Sequence, residues 1–170
     1  MNLSDFIRSV PDFPNKGIIY RDITPLLLNP EAMRFCVERF IEELPDIKID
    51  KVVGVEARGF FFATLLAQRL DVGLVPVRKT GKLPFDRFQA AYDLEYGKDQ
   101  LEIHQDAIKK GENVLIHDDV LATGGTAAAT SQLVNQCGGN VIQYNFLLEL
   151  KALKGREKIK DAPFIALLEY

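Results

Sequence analysis

Short apolar runs, each closed by a charged or glycine-bearing turn, constrain this chain more than any other feature. Val52-Val53-Gly54-Val55, Leu74-Val75-Pro76-Val77 and Val114-Leu115-Ile116 are apolar at successive positions, the pattern of strands buried on both faces. A helical stretch follows the first of them, from the turn at Glu56–Gly59 to about Leu70, and another follows the third over residues 126–137. Upstream, Asn29-Pro30-Glu31 supplies an N-cap, a proline at the first helical position and an acid in the first turn. Met33, Cys36, Val37, Phe40, Ile41 and Leu44 then recur at helical spacing until Pro45. Asn140 to Leu148 and the final APFIALLEY read as two more strands. Strands alternating with helices predict an α/β fold, a mostly parallel twisted sheet flanked by helices. Pro76 predicts limited ladder bonding within its own strand.

Two segments depart from this rhythm. Residues 11–25, PDFPNKGIIYRDITP, hold three prolines and Gly17, too many breakers for a regular element. In residues 80–103, TGKLPFDRFQ has no clear period, AAYDLEY alternates, Gly97-Lys98-Asp99-Gln100 turns and LEIH follows, which predicts a long loop leading into a hairpin. No repeat, linker or low-complexity stretch divides the chain, so its 170 residues are expected to form one domain. A net charge of -3 argues against a general nucleic-acid binder. Met1-Asn2-Leu3-Ser4-Asp5 has neither the basic start nor the apolar core of a signal peptide, and no apolar stretch is long enough to cross a bilayer. Cys36 and Cys137 lie far apart with no CxxC, which excludes a zinc ribbon and predicts buried thiols in a reducing cytosol.

The most informative stretch is VLIHDDVLATGGTAAAT. A buried strand ends in two adjacent acids, Asp118 and Asp119, and the small-residue loop Ala122-Thr123-Gly124-Gly125-Thr126 leads into a helix. Open α/β sheets bind ligands at the carboxyl ends of their strands. Glycines let backbone approach a ligand closely, and a helix N-terminus offers unpaired N–H groups to a phosphate. Carboxylates beside such an anion nest need a cation or a donor, and the vicinal hydroxyls of a ribose are donors at the right remove. The pattern therefore fits a ribose 5-phosphate, and the missing GK[ST] distinguishes it from a Walker loop. The bland alternative is a polar strand end with a flexible turn. Two further strand ends carry cations: Arg58 after Gly54-Val55-Glu56-Ala57, and Arg78-Lys79 after Pro76-Val77, with Lys82 beyond. A sugar with a phosphate at one end and a pyrophosphate at the other would use all three strand ends.

HDDVLATGGTA resembles the phosphoribosyl-pyrophosphate loop of the type I phosphoribosyltransferases. PDFPNKGIIYRDITPLL, VGVEARGF, VRKTGKLP, YDLEYG and LKGRE, in that order from about Ile7 to Tyr170, are similar to the adenine phosphoribosyltransferase branch of that family. The resemblance implies the family's fold, with a small N-terminal hood (about residues 1–30) and a mobile loop and hairpin (about 80–103). It implies that Asp118, Asp119 and Ala122, Thr123, Gly124, Gly125 and Thr126 hold the ribose 5-phosphate, and that Arg58 and Lys79 serve the pyrophosphate. Tyr20 and Arg21 would belong to the hood over adenine, Leu150 would line the base pocket, and Glu95 would be the catalytic acid. Such enzymes are cytoplasmic homodimers that make AMP and pyrophosphate from adenine and phosphoribosyl pyrophosphate in purine salvage. They use Mg²⁺ bound mainly through the substrate, here with Asp118 near it, and contact neither nucleic acid nor membrane.

Three positions depart from the family pattern. Tyr20 stands where Phe is frequent, Ala57 replaces a common Ser, and His117 lies where an apolar residue is usual. Either aromatic ring stacks on a purine, and His117 reads as a tolerated strand residue rather than a titrating one. His104 reads as a surface residue. In the chemistry implied, Arg58, Lys79 and Mg²⁺ stabilise the leaving pyrophosphate, residues 80–98 exclude water as a lid, and Glu95 meets the N9 proton, accepting it or stabilising the rearranging charge. A non-catalytic sensor of the same sugar, or the same transfer to hypoxanthine or guanine, are the competing readings.

Overall fold

The breaker-rich N-terminal segment pairs with itself. In the computed structural model, Arg8–Pro11 (β1) and Ile19–Asp22 (β2) form a two-stranded antiparallel sheet, with Arg8 opposite Asp22 and Pro11 opposite Ile19. This corrects the expectation that residues 11–25 hold no regular element. Pro11 takes the last position of its strand, where a missing N–H costs little, while Pro14 and Gly17 fall in the connection. Asp12 ties that connection together by accepting from Gly17 N at 2.6 Å. Thr24–Leu27 (α1) and Pro30–Glu42 (α2) follow. Asn29 caps α2 as its sequence predicts, its Oδ1 accepting from Glu31 N at 3.0 Å and Ala32 N at 2.9 Å. Ala32, Cys36, Val37 and Phe40 are the buried face of α2. The structure describes residues 1–94 and 97–170, which fall into two compact units, Met1–Glu42 and Glu43–Tyr170.

The second unit is built on a seven-stranded sheet. Its elements are β3 (Lys51–Val55), α3 (Gly59–Leu70), β4 (Gly73–Lys79), β5 (Arg87–Leu94), β6 (Gly97–His104), β7 (Asn113–Leu121), α4 (Gly125–Cys137), β8 (Asn140–Glu149) and β9 (Phe164–Glu169). The strand order is β5-β6-β4-β3-β7-β8-β9. Strands β4, β3, β7, β8 and β9 run parallel, and the β5–β6 hairpin joins antiparallel to β4 through Arg78 and Lys79. This is the mostly parallel α/β sheet that the alternation predicts. The predicted loop and hairpin resolve into a connection over 80–86 and the β5–β6 pair, but Gly97-Lys98-Asp99-Gln100, read from sequence as the turn, begin β6 and pair with Leu94 back to Ala91. Glu102, fully buried on β6, anchors them by accepting from Arg87 Nε (2.9 Å), Gln89 (2.7 Å) and Gly81 N (3.1 Å).

Alternation along the central strands sends side chains to two helices on opposite faces. Val53, Val75, Val77, Ile116, Tyr144 and Phe146 share a core with Ala127, Leu133 and Val134 of α4. Gly54 faces the other way, toward Ala63 of α3. Pro76 lies inside the ladder, paired with Gly54. Val77 O accepts from Glu56 N, so the neighbouring Pro76 nitrogen points to the far edge of β4, where β6 pairs only from Arg78 on. From β3 the chain runs through α3 to β4, and from β7 through α4 to β8 on the other side. The crevice at the carboxyl ends of β3 and β7 is therefore a topological switch point. No described helix is long and apolar enough to cross a membrane.

A Cβ at Gly54 would lie 2.7 Å from Ala63 Cβ and 3.2 Å from the Phe60 ring, so α3 can pack this closely only over glycine. Gly54→Ala is expected to cost about 1–3 kcal/mol of stability through overpacking, measurable by urea denaturation.

Candidate functional site

The β3–β7 ladder ends at Gly54 opposite His117. Strand β7 continues to Leu121 paired with β8 alone, so Asp118 and Asp119 lie inside the strand rather than after it, at the edge that β3 has left. Gly59, at the start of α3, lets backbone approach them; a Cβ there would sit 2.9 Å from Asp118 Oδ1. Asp118 Oδ1 accepts from Asp119 N at 2.8 Å. Arg58 Nε lies 2.8 Å from Asp119 Oδ2. Burial and the adjacent negative charge push the Asp118 carboxyl well above its ordinary range. Burial raises Asp119 as well, with Arg58 pulling against it.

Beyond β7, Ala122-Thr123-Gly124 turns into α4, and Gly124 holds the N-cap position at φ +76°, a conformation natural to glycine. The turn, with Leu121, Thr126 and Phe146, lines a pocket of about 50 Å³. A wider cleft of about 260 Å³ adjoins it, lined by Glu56, Ala57, Arg58, Lys79, Tyr92, Leu101 and Asp119. Asp118, Val120 and Thr126 border both. The structure thus brings Arg58, Lys79, the two acids and the glycine turn to one crevice. Leu150 follows β8 beside the end of β7, its N–H donating to Leu121 O at 2.9 Å. Tyr20 and Arg21 belong to β2 of the first unit, where the Tyr20 ring meets Phe13 edge-on at 5.1 Å and Arg21 donates to Ser9 Oγ. Glu95 lies outside the described residues.

The adjacent cations differ in their partners. Glu56 binds Arg78 through both carboxylate oxygens at 3.3 Å and accepts from Lys79 N at 2.9 Å. Partial burial pushes the Glu56 carboxyl upward, but the Lys79 amide and Arg78 outweigh it and hold it below the ordinary range. Arg78 is thereby committed to the strand end, and Lys79 reaches the cleft. Lys79 Nζ lies 3.4 Å from Asp99, whose carboxylate also accepts from the Tyr92 hydroxyl at 3.2 Å. Tyr92 and Glu56 are cleft residues that fall within YDLEYG and VGVEARGF but were given no role there; their signal is register, visible only once β5 and β3 are placed. His117 is fully buried with its ring 6.0 Å from Phe62, and burial lowers it to about 3, so it stays neutral.

Among the described residues no group of three or more His, Cys, Asp or Glu side chains is placed to hold a metal ion. The donor set of the crevice is Asp118 beside an Asp119 already engaged by Arg58. That fits a Mg²⁺ carried largely by substrate phosphates and fits no all-protein cage.

Residues 27–164 match the family model described as phosphoribosyl transferase domain. The chain is 61% identical over 170 residues to the adenine phosphoribosyltransferase of Christiangramia forsetii, covering 100% of this chain and 99% of that one. The crystal structure of adenine phosphoribosyltransferase from Thermoanaerobacter pseudethanolicus superposes with a TM-score of 0.96 at 47% identity, over 99% of this chain and 98% of that one. The Saccharomyces cerevisiae enzyme, complexed with an imino-altritol bisphosphate and adenine, gives a TM-score of 0.93 at 46% identity, over 97% and 96%.

The raised Asp118 carboxyl has a stability consequence. The native state holds that proton more tightly than the unfolded chain, so stability falls as pH rises from the ordinary aspartate range toward neutrality. Asp118→Asn is expected to stabilise the ligand-free protein at pH 7 by on the order of 1 kcal/mol, with the gain shrinking toward pH 4. Thermal melts of both proteins across that range check it.

Proposed function

The chain belongs to the adenine phosphoribosyltransferase branch of the phosphoribosyl transferase family, and on that premise we infer that it transfers the 5-phosphoribosyl group of phosphoribosyl pyrophosphate to N9 of adenine. The products are AMP and pyrophosphate, the reaction of purine salvage. One observation carries the assignment: the small pocket at the glycine turn and the cation-lined cleft adjoin along Asp118, Val120 and Thr126. Two anion sites with acids between them match a sugar that has phosphate at one end and pyrophosphate at the other.

In this reading the α4 N-terminus, Ala122–Gly124, Gly125, Thr123 and Thr126 take the 5-phosphate. Asp118 and Asp119 accept from the ribose hydroxyls, which relieves their mutual repulsion. Arg58, already oriented by Asp119, meets the pyrophosphate with little reorganisation, and Lys79 leaves Asp99 to do the same. As the C1–oxygen bond breaks, its electron pair leaves with pyrophosphate, and C1 bonds to N9. The N9 proton goes to Glu95, the carboxylate assigned to catalysis. Tyr20, Arg21 and Leu150 are assigned to adenine, and residues 80–98 to water exclusion. Asp118 would help to hold Mg²⁺ carried mainly by the substrate, and the ion would supply charge neutralisation on the leaving group. The enzyme is proposed to work as a cytoplasmic homodimer.

Pyrophosphate release with adenine, hypoxanthine and guanine in competition, Mg²⁺ present, tests the reading. AMP is expected as the dominant product, and a preference for hypoxanthine would overturn the substrate. Glu95→Gln is expected to lower kcat by about 10²–10⁴-fold while phosphoribosyl pyrophosphate still binds. Unchanged turnover would remove Glu95 from catalysis.

A further inference from the structure

Gly155 carries no side chain to the crevice, yet its backbone presses on the turn beneath it. A Cβ on Gly155 would lie 2.3 Å from Ala122 O, 3.0 Å from Gly124 N and 3.0 Å from Leu121 Cδ1. A Cβ on Gly124 would lie 2.3 Å from Gly155 O. The close partners are main-chain atoms, which have no rotamer into which to retreat. The two strands of backbone therefore approach only because both positions are glycine.

What holds Gly155 there is an ion pair one residue on. Arg156 reaches back to Glu149, Nε donating to Oε1 at 2.8 Å and Nη2 to Oε2. Glu149 is 1% exposed and sits opposite Leu121 in the β7–β8 ladder, the position from which β7 gives way to the turn. The guanidinium also lies 4.9 Å over the Phe164 ring. On the far side, buried Ile159 enters the same core as Leu133 and Val134 of α4. The segment carrying Gly155 is thus pinned at both ends, to the strand before the turn and to the helix after it.

We propose that Gly155, set by the Glu149–Arg156 pair, is a positioning residue that buttresses the Ala122–Gly124 turn in the shape that receives the phosphomonoester end of the sugar. The proposal rests on the reading of that turn as the 5-phosphate site. It predicts a selective defect, because the pyrophosphate end is served by Arg58 and Lys79 in the adjoining cleft.

Calorimetric titration of the full chain with ribose 5-phosphate and with pyrophosphate, alongside steady-state kinetics, tests it. Gly155→Ala is expected to weaken ribose 5-phosphate binding and raise the KM for phosphoribosyl pyrophosphate by on the order of ten- to a hundredfold. Pyrophosphate binding and the KM for adenine stay unchanged. Arg156→Ala follows the same pattern, and Arg156→Lys recovers part of it, since an ammonium replaces a fork by a point charge. If Gly155→Ala does not fold, judged by circular dichroism, the Arg156 variants decide. Normal ribose 5-phosphate binding in the variants, or equal losses at both ends, overturns the buttress. Thr123→Val in otherwise unaltered protein separates the two levels. If it leaves ribose 5-phosphate affinity untouched, the phosphate reading of the turn falls and the buttress with it. If it weakens binding while Gly155→Ala does not, only the buttress falls.

Discussion

Consecutive carboxylates on one strand, Asp118 and Asp119, repel each other and lose hydration where they sit. Nothing in strand formation requires them, and the surrounding structure is arranged around their charge. Arg58 leaves the first turn after β3 to meet Asp119. Glu56, two residues earlier, draws Arg78 away from the crevice and leaves Lys79 facing it. The result is a site with acids at its centre and cations on one side only. A neutral sugar carrying an anion at each end matches that layout: its hydroxyls donate to the acids while the anions lie away from them.

The second constraint is main-chain proximity. At Gly59 the start of α3 comes against Asp118, and at Gly124 and Gly155 two loops from distant parts of the chain touch backbone to backbone. The Gly124–Gly155 contact is stiff, because its closest atoms are main-chain and contain no rotatable side chain. The same turn and the start of α4, through Ala122, Thr123, Gly124 and Thr126, line the small pocket, where a helix terminus offers N–H groups to an anion. Stiffness of this kind lets an anion site act without reorganising when ligand arrives. The hairpin side of the crevice differs: Lys79, Asp99 and Tyr92 meet through long polar side chains that exchange partners at small cost.

Much of this was legible in the residues. The α/β class follows from apolar runs alternating with helical spacing, and the start of α2 from Asn29-Pro30-Glu31, because burial and capping are local signals. HDDVLATGGTA pointed to this crevice for the same reason: strand, acids, turn and helix N-terminus are contiguous, so their geometry is encoded within one short stretch. The N-terminal hairpin was hidden by its prolines, which count as breakers only if they fall inside a ladder, and Pro11 falls at its end. Pro76 showed the converse, a proline tolerated in an inner strand because its nitrogen faces an unpaired stretch of edge.

The sequence by itself determined which groups are present and which of them are neighbours along the chain: the acid pair, the glycine turn, the cations at two strand ends. Only the tertiary structure decided which cation is committed and which is available, that Tyr92 and Glu56 border the cleft, and that Gly155 lies against Gly124. The reason is that periodicity and capping act over a few residues, whereas partner choice among charges depends on strand order and register. Those are set by how the whole apolar surface of β3, β4, β7 and β8 is buried at once.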